Sequence, residues 1–223
     1  MKKLLLSLMI VGAGIAASAQ SPVKFGIKAG ANFAKVSSDG EEMGDVKLNP
    51  SFYVGGTVDF AVSEIFSVQP GLLLSGKGMK LEGTEDFSDG DVSGKVTATA
   101  KRNLMYIEIP VNAVFSFPAG NGKVFLGAGP YYGIAVSGKD KAKISGNIDG
   151  QKISSSTDSD VEFGKDGDVK RGDFGVNFLG GYQLGNGFNI HAGYGLGLGN
   201  IAQDSDDIKV NNRVLSVGLG FSF

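Results

Sequence analysis

The sequence predicts an all-β fold: eight antiparallel strands, running up and down, closed into a transmembrane β-barrel. Three observations carry this. Successive segments alternate apolar side chains with polar or small ones at a period of two, which gives a strand two unlike faces. The connections between these segments alternate long and short, the rhythm of a barrel with long outer loops and short inner turns. The final segment puts Leu215, Val217, Leu219, Phe221 and Phe223 on one face and Ser216, Gly218, Gly220 and Ser222 on the other. Its apolar face runs to a terminal aromatic, which lipid accommodates and water does not.

Composition agrees. Glycine supplies 36 of 223 residues, against an average near ~7%, and glycine weakens helix interiors. Cysteine is absent, which removes disulfide and thiol chemistry. A net charge of −2 gives no case for nucleic acid as a partner.

The chain opens with Lys2 and Lys3, an apolar run from Leu4 to Ala16, and the small-x-small step Ala17-Ser18-Ala19. This reads as a signal peptide over residues 1–19, leaving 20–223 as one barrel domain. The run is short for a membrane helix of roughly 20 residues, and no Cys follows to carry a lipid anchor. No later stretch is apolar enough to span as a helix. Closed β structure is the remaining way across a membrane, because lipid cannot satisfy exposed backbone.

The first strand is expected over Val23–Val36, with Phe25, Ile27 and Phe33 opposite Lys24, Lys28 and Asn32. A polar loop follows to Asn49. The second strand, Ser51–Val62, sets Phe52, Val54, Val58 and Phe60 against Thr57 and Asp59, and Ser63-Glu64-Ile65 turns the chain. The third, Phe66–Lys80, sets Leu72 and Leu74 against Gln69, Ser75 and Lys77. Pro70 cannot donate to a ladder, so a bulge is expected there. An acidic loop with Glu82, Glu85, Asp86, Asp89 and Asp91 leads to the fourth strand, Asn103–Phe117. After the turn Pro118–Gly122 comes the fifth, Lys123–Ser137, and then the longest loop, Gly138–Lys170. The sixth strand, Arg171–Leu184, and the seventh, Phe188–Ile201, are joined by Gly185-Asn186-Gly187, a hairpin signal. The loop Ala202–Lys209 precedes the eighth. An even count puts both termini on one side, expected to be periplasmic.

The charges test this assignment. Lys24, Lys28, Asp59, Lys77, Glu108, Asp173 and His191 all fall on the face opposite the apolar residues. A Lys or Arg facing lipid at midplane would cost ~2–4 kcal/mol. Phe25, Phe60, Phe66, Phe115, Phe117, Tyr182, Phe188, Phe221 and Phe223 gather on the apolar face at the periplasmic ends, as an interfacial girdle. The inward set is expected to form a polar network. An eight-stranded barrel is just filled by its side chains, so a salt-bridged plug is the first reading and a narrow conduit or ligand pocket the second. Inward glycines make room for Tyr53, Tyr106 and Tyr131, or leave a void. His191 is the single histidine, with Asp173 as a candidate hydrogen-bond partner. No catalytic, metal or cofactor site is expected. Asp158-Ser159-Asp160 and Asp204-Ser205-Asp206-Asp207 lack the spacing of a calcium loop.

Six stretches carry a family resemblance: Phe25-Gly-Ile-Lys-Ala-Gly-Ala-Asn32, Val68-Gln-Pro-Gly-Leu72 with Lys77-Gly78, Tyr106-Ile-Glu-Ile-Pro110, Gly129-Pro-Tyr131, Arg171-Gly-Asp-Phe-Gly175 and Asn212-Arg213. Together they resemble the PorT-like outer-membrane β-barrel family, part of a broad "porin family" of eight-stranded, OmpX/OmpA-like barrels. The resemblance implies the cell outer membrane and contact with its lipid. It also implies a C-terminal signal, Phe221 and Phe223, for the barrel-assembly machinery. Its namesake is associated with a secretion system, so outer-membrane protein partners in a secretion or transport assembly are expected. A structural or interaction role is the leading expectation. A narrow channel or small-ligand-binding barrel is the alternative, and a lipid-modifying enzyme the third.

Overall fold

The computed structural model describes residues 23–38, 46–89, 92–165, 167–203 and 209–223. The expected signal peptide, Asp91 and the run from Asp204 to Asp207 lie outside the described residues. The strands are β1 (Val23–Ser38), β2 (Val46–Lys47), β3 (Asn49–Ala61), β4 (Phe66–Asp89), β5 (Val92–Ala119), β6 (Gly122–Ile148), β7 (Gln151–Asp160), β8 (Gly172–Leu184), β9 (Phe188–Gly197) and β10 (Val210–Ser222).

Eight of these close into an antiparallel ring. β1 pairs with β3 on one side and β10 on the other, and the circuit continues through β9, β8, β6, β5 and β4 back to β3. These are the eight strands expected from the alternation. The closing seam is the β1–β10 ladder, from Gly26 opposite Ser222 to Ser38 opposite Val210.

The outward positions are apolar and half-exposed, among them Ile27, Val54, Leu72, Ile109, Leu126, Phe178, Ile190 and Leu219. The inward positions are polar and buried: Asn32, Ser75, Lys77, Glu108, Asn112, Asp173 and Asn212. A water-soluble domain has the opposite arrangement. Aromatics cluster at the rim of short turns. The Phe66 and Phe115 rings, and those of Phe221 and Phe223, lie 5.0 Å apart. The Tyr182 hydroxyl donates to the Ala119 carbonyl at 2.8 Å.

Three expectations about the chain are corrected. The acidic stretch after the third strand and the first two-thirds of the longest loop are strands, not loops. β4, β5, β6 and β7 continue past the barrel as a four-stranded sheet. Alternating Val, Thr and Ala in Val96-Thr97-Ala98-Thr99 favour extended backbone, and the Thr84 and Thr97 hydroxyls bond across strands at 3.0 Å. Asp149 and Gly150, at φ 50° and 81°, make the tight turn into β7.

The bulge expected at Pro70 is absent. Gln69–Asn112, Pro70–Val111 and Leu73–Glu108 keep one register, and the chain tolerates the proline by losing ladder pairs beside it. The irregularity lies in β6: Met105 pairs with Ser137 while Tyr106 pairs with Ala135, so Val136 is the extra residue. Beyond it the odd-numbered residues of β6 point outward.

The outer mouth is capped. Residues 161–165 and 167–170 fold across it, burying Val161 and Val169 against Val36, Leu104, Tyr106, Ala135 and Ile201. Arg102 pins this region by donating from Nε and Nη2 to Asp140, at 2.8 and 2.6 Å, with Asp168 a further 3.5 Å contact.

Candidate functional site

The lumen is built in layers. In the central layer the Lys77 ammonium of β4 lies 2.6 Å from Glu108 of β5 and 3.0 Å from Asp173 of β8. All three are buried. Asp173 Oδ2 also accepts from the Tyr131 hydroxyl at 3.2 Å and from Asn212 Nδ2 at 3.0 Å. Glu108 accepts from Asn177 Nδ2 at 3.2 Å. One cation faces two carboxylates, and phenol and amide donors add to the compensation that buried charge requires, with Asp173 Oδ1 left without a hydrogen-bond partner. The ammonium also sits 4.0 Å from the Tyr131 ring centroid and 5.4 Å from that of Tyr106, within cation–π range.

Glycines create the space for these rings. A Cβ at Gly218 would collide with the Tyr53 hydroxyl, and one at Gly30 would lie 2.7 Å from Tyr53 Cε1. Gly175 and Gly197 likewise admit Tyr131, and Gly133 admits Tyr106. At these five inward glycines the space is taken by tyrosines, whereas Gly26, Gly193 and Gly195 face Thr57, Ser216 and Asn177.

A second layer lies towards the short turns. His191 Nε2 is 2.7 Å from the Tyr53 hydroxyl, and Nδ1 is 2.9 Å from Asn189 Oδ1. With Asn189 oriented this way, Nδ1 donates and Nε2 accepts from the phenol, a neutral imidazole. The expected Asp173–His191 contact is not formed, because Asp173 belongs to the central layer. Asp59 accepts from Ser67 Oγ and Gln69 Nε2, both at 3.1 Å, and lies opposite Lys24 in the β1–β3 ladder. Lys24 is exposed at the rim. Lys28 lies between the layers and has no ion pair among the described residues. The seven expected residues thus divide. Lys77, Glu108 and Asp173 form one cluster, while His191 and Asp59 have neutral partners. Asn212 was legible only as part of the Asn212-Arg213 motif, with no sign that it reaches Asp173.

Two cavities of about 70 Å³ flank Lys28. One is lined by Lys24, Asp59, Gln69, Lys123 and His191, the other by Tyr53, Ser75, Lys77 and Asn112. The Lys77 layer and the apolar cap close the lumen above them. Among the described residues no group of three or more acidic or histidine side chains is placed to hold a metal ion.

Residues 18–203 match the family described as outer membrane protein beta-barrel domain. The chain belongs to this family. No curated protein matches it. Among solved structures it is similar to Ail, the attachment invasion locus protein of Yersinia pestis. The identity is 18%, over 90% of this chain and 99% of that one, with a TM-score of 0.36. It is also similar to Neisserial surface protein A (15% identity, 89% and 97% covered, TM-score 0.39). A third similarity is to the outer-membrane enzyme PagL (10%, 89% and 98%, TM-score 0.31). At such identities the likeness is one of fold alone. As an outer-membrane barrel the protein resides in the cell outer membrane. Its short turns then face the periplasm and its β4–β7 sheet the exterior.

Proposed function

We propose that this outer-membrane barrel is an anchor for a surface interaction element and performs no catalytic step. The observation that carries the reading is a free edge of the outer sheet, that of β7. β7 pairs with β6 along one side from Gln151 to Asp160, no strand pairs with its other side among the described residues, and all ten of its residues are exposed. An unpaired edge offers a row of backbone donors and acceptors to an incoming strand. Proline and bulges commonly blunt such edges, and β7 has neither. The partner class is a protein with an extended segment. The PorT-like resemblance narrows this to a component of a secretion or transport assembly.

Successive backbone N–H groups of a strand point to opposite sides. Of Ser155→Pro and Ser156→Pro, one therefore removes a donor facing β6 and the other a donor on the free edge. A photo-crosslinker at Ser154 is expected to capture a discrete protein in cells, and the free-edge proline to abolish capture while the barrel stays folded. Capture that survives both prolines refutes edge pairing. Recovery of secretion components would favour the assembly role.

The flanking cavities favour a second reading, a lumenal ligand site or narrow conduit. Planar-bilayer recording is expected to be silent, because the Lys77 layer and the cap lie in series. Steady single-channel steps would establish the conduit. The hydrogen bonds of His191 to Tyr53 and Asn189 give an enzyme reading no nucleophile to activate. Loss of a lipid-hydrolase activity in His191→Ala would reverse that ranking.

A further inference from the structure

The polarity of β5 inverts at the membrane boundary. Along β5 the outward residues Ile109, Ile107 and Met105 are apolar, and the series continues on the same face through Asn103 to Lys101, Thr99 and Thr97. The inward series runs from Glu108 and Tyr106 through Leu104 and Arg102, the latter paired with Asp140, to Ala100, Ala98 and Val96. Beyond the Arg102–Asp140 pair the outward face of β5 is polar and its inward face apolar.

The register gathers cations on that outward face. Lys80 lies opposite Lys101, and Lys101 opposite Lys141. The next row is Glu82, Thr99, Lys143 and Ser156. Residues directly opposite in an antiparallel ladder share a face, and like charges so placed repel. Lys80 is neutralised by Glu82 at 2.5 Å. Lys139, one row nearer the membrane, lies 3.9 and 3.8 Å from Asp158 and Asp160. Lys101, Lys141 and Lys143 make no ion pair among the described residues. They line a shallow groove of about 410 Å³ with Lys80, Thr99, Ser156 and Asp158, the last directly opposite Lys141 in the β6–β7 ladder. On the far side of the barrel, Lys35 and Arg213 lie opposite one another just beyond the outward Phe33 and Leu215.

Depth identifies the counter-anion. Lys101 is four residues past Met105. At a rise of ~3.3 Å per residue and a tilt of about 40°, it stands ~10 Å beyond the last lipid-facing apolar side chain. That is headgroup depth, and lysine stems can reach down along the apolar surface. We propose that Lys101, Lys141 and Lys143 bind the phosphate groups of phosphorylated lipids in the outer leaflet. Ammonium groups and the Thr99 and Ser156 hydroxyls supply the donors that phosphate oxygens take. The three lysines are on β5 and β6 and only the Ser156 hydroxyl comes from β7, so lysine substitutions test this site apart from the β7 edge.

The test uses the full chain in phosphatidylcholine vesicles containing a trace of bis-phosphorylated acylated disaccharide. Lipid retained on the purified protein is counted by native mass spectrometry. The variant Lys101→Gln/Lys141→Gln/Lys143→Gln is expected to lose retention on the order of a hundredfold for three charges at a charged lipid surface. Lys95→Gln/Lys152→Gln, higher on the same face, is expected to retain it. If the triple variant does not migrate as a folded barrel, Lys141→Gln is read in its place. Equal retention by wild type and variant overturns the proposal. So does equal loss in the Lys95 and Lys152 variant, or release by inorganic phosphate at matched phosphate concentration, which would mark a site for free phosphate.

Discussion

The Lys77 ammonium lies 2.6 Å from the Glu108 carboxylate at the centre of the barrel, both side chains buried. Asp173 completes the cluster at 3.0 Å from the same nitrogen. Lys77→Met would leave two buried carboxylates without a cation. The expected loss is about 3–5 kcal/mol, read by urea unfolding in lipid vesicles. The triple variant Lys77→Met/Glu108→Gln/Asp173→Asn should recover most of it, because no uncompensated charge remains. Equal midpoints for the single and triple variants would contradict this account.

Tyr53 occupies space that only glycine leaves open at position 218. Gly218→Ala is expected to destabilise the barrel by ~1–3 kcal/mol through overpacking, since the new Cβ meets both Tyr53 and the Ala29 carbonyl. A thermal midpoint equal to that of wild type would show that the lumen is looser than described.

Ile109 and Ile144 are similarly exposed, at 46% and 49%, but to different solvents. Ile109 is on the lipid-facing band, and Ile144 is on the outer sheet. Ile109→Arg should cost ~2–4 kcal/mol near midplane and reduce the yield of folded barrel. Ile144→Arg should be close to neutral. Comparing folded fractions by gel mobility before and after boiling tests both, and equal behaviour would displace the membrane boundary.

Lys80 donates to Glu82 and holds its carboxyl below the ordinary glutamate range. A carboxyl depressed in the folded state adds stability above its unfolded pKa, and that contribution is lost as pH falls through the lower folded value. An NMR titration should find the Glu82 midpoint below about 4.3, the free-peptide value. Lys80→Met should raise it. An unmoved midpoint in Lys80→Met would break the assignment.

The barrel strands were legible because lipid on one side and a filled lumen on the other impose strict alternation at every position. Phe25, Ile27 and Lys28 could be assigned to faces from period alone. Partnerships inside the ring were not legible, because face does not fix height. Asp173 and His191 share the inward face of neighbouring strands, but His191 pairs with Gly181, eight residues along β8 from Asp173. At ~3.3 Å per residue that separates the two by roughly 26 Å along the strand. The outer sheet was missed for a different reason. Gln151–Asp160 is in water on both faces, so no burial forces an alternation, and its Ser and Asp read as loop. The Asp149-Gly150 step was the local signal that a hairpin lay there.

The β1–β10 ladder joins residues 172 to 196 positions apart. Contacts of such long sequence separation are the slowest to form. Every shorter nascent chain therefore carries two raw strand edges and an apolar skin with nothing to seal them. The last strand to emerge converts that ribbon into a cylinder, so assembly has no useful halfway product. A cell making this protein must keep almost all of the barrel apart from its neighbours until β10 is in hand.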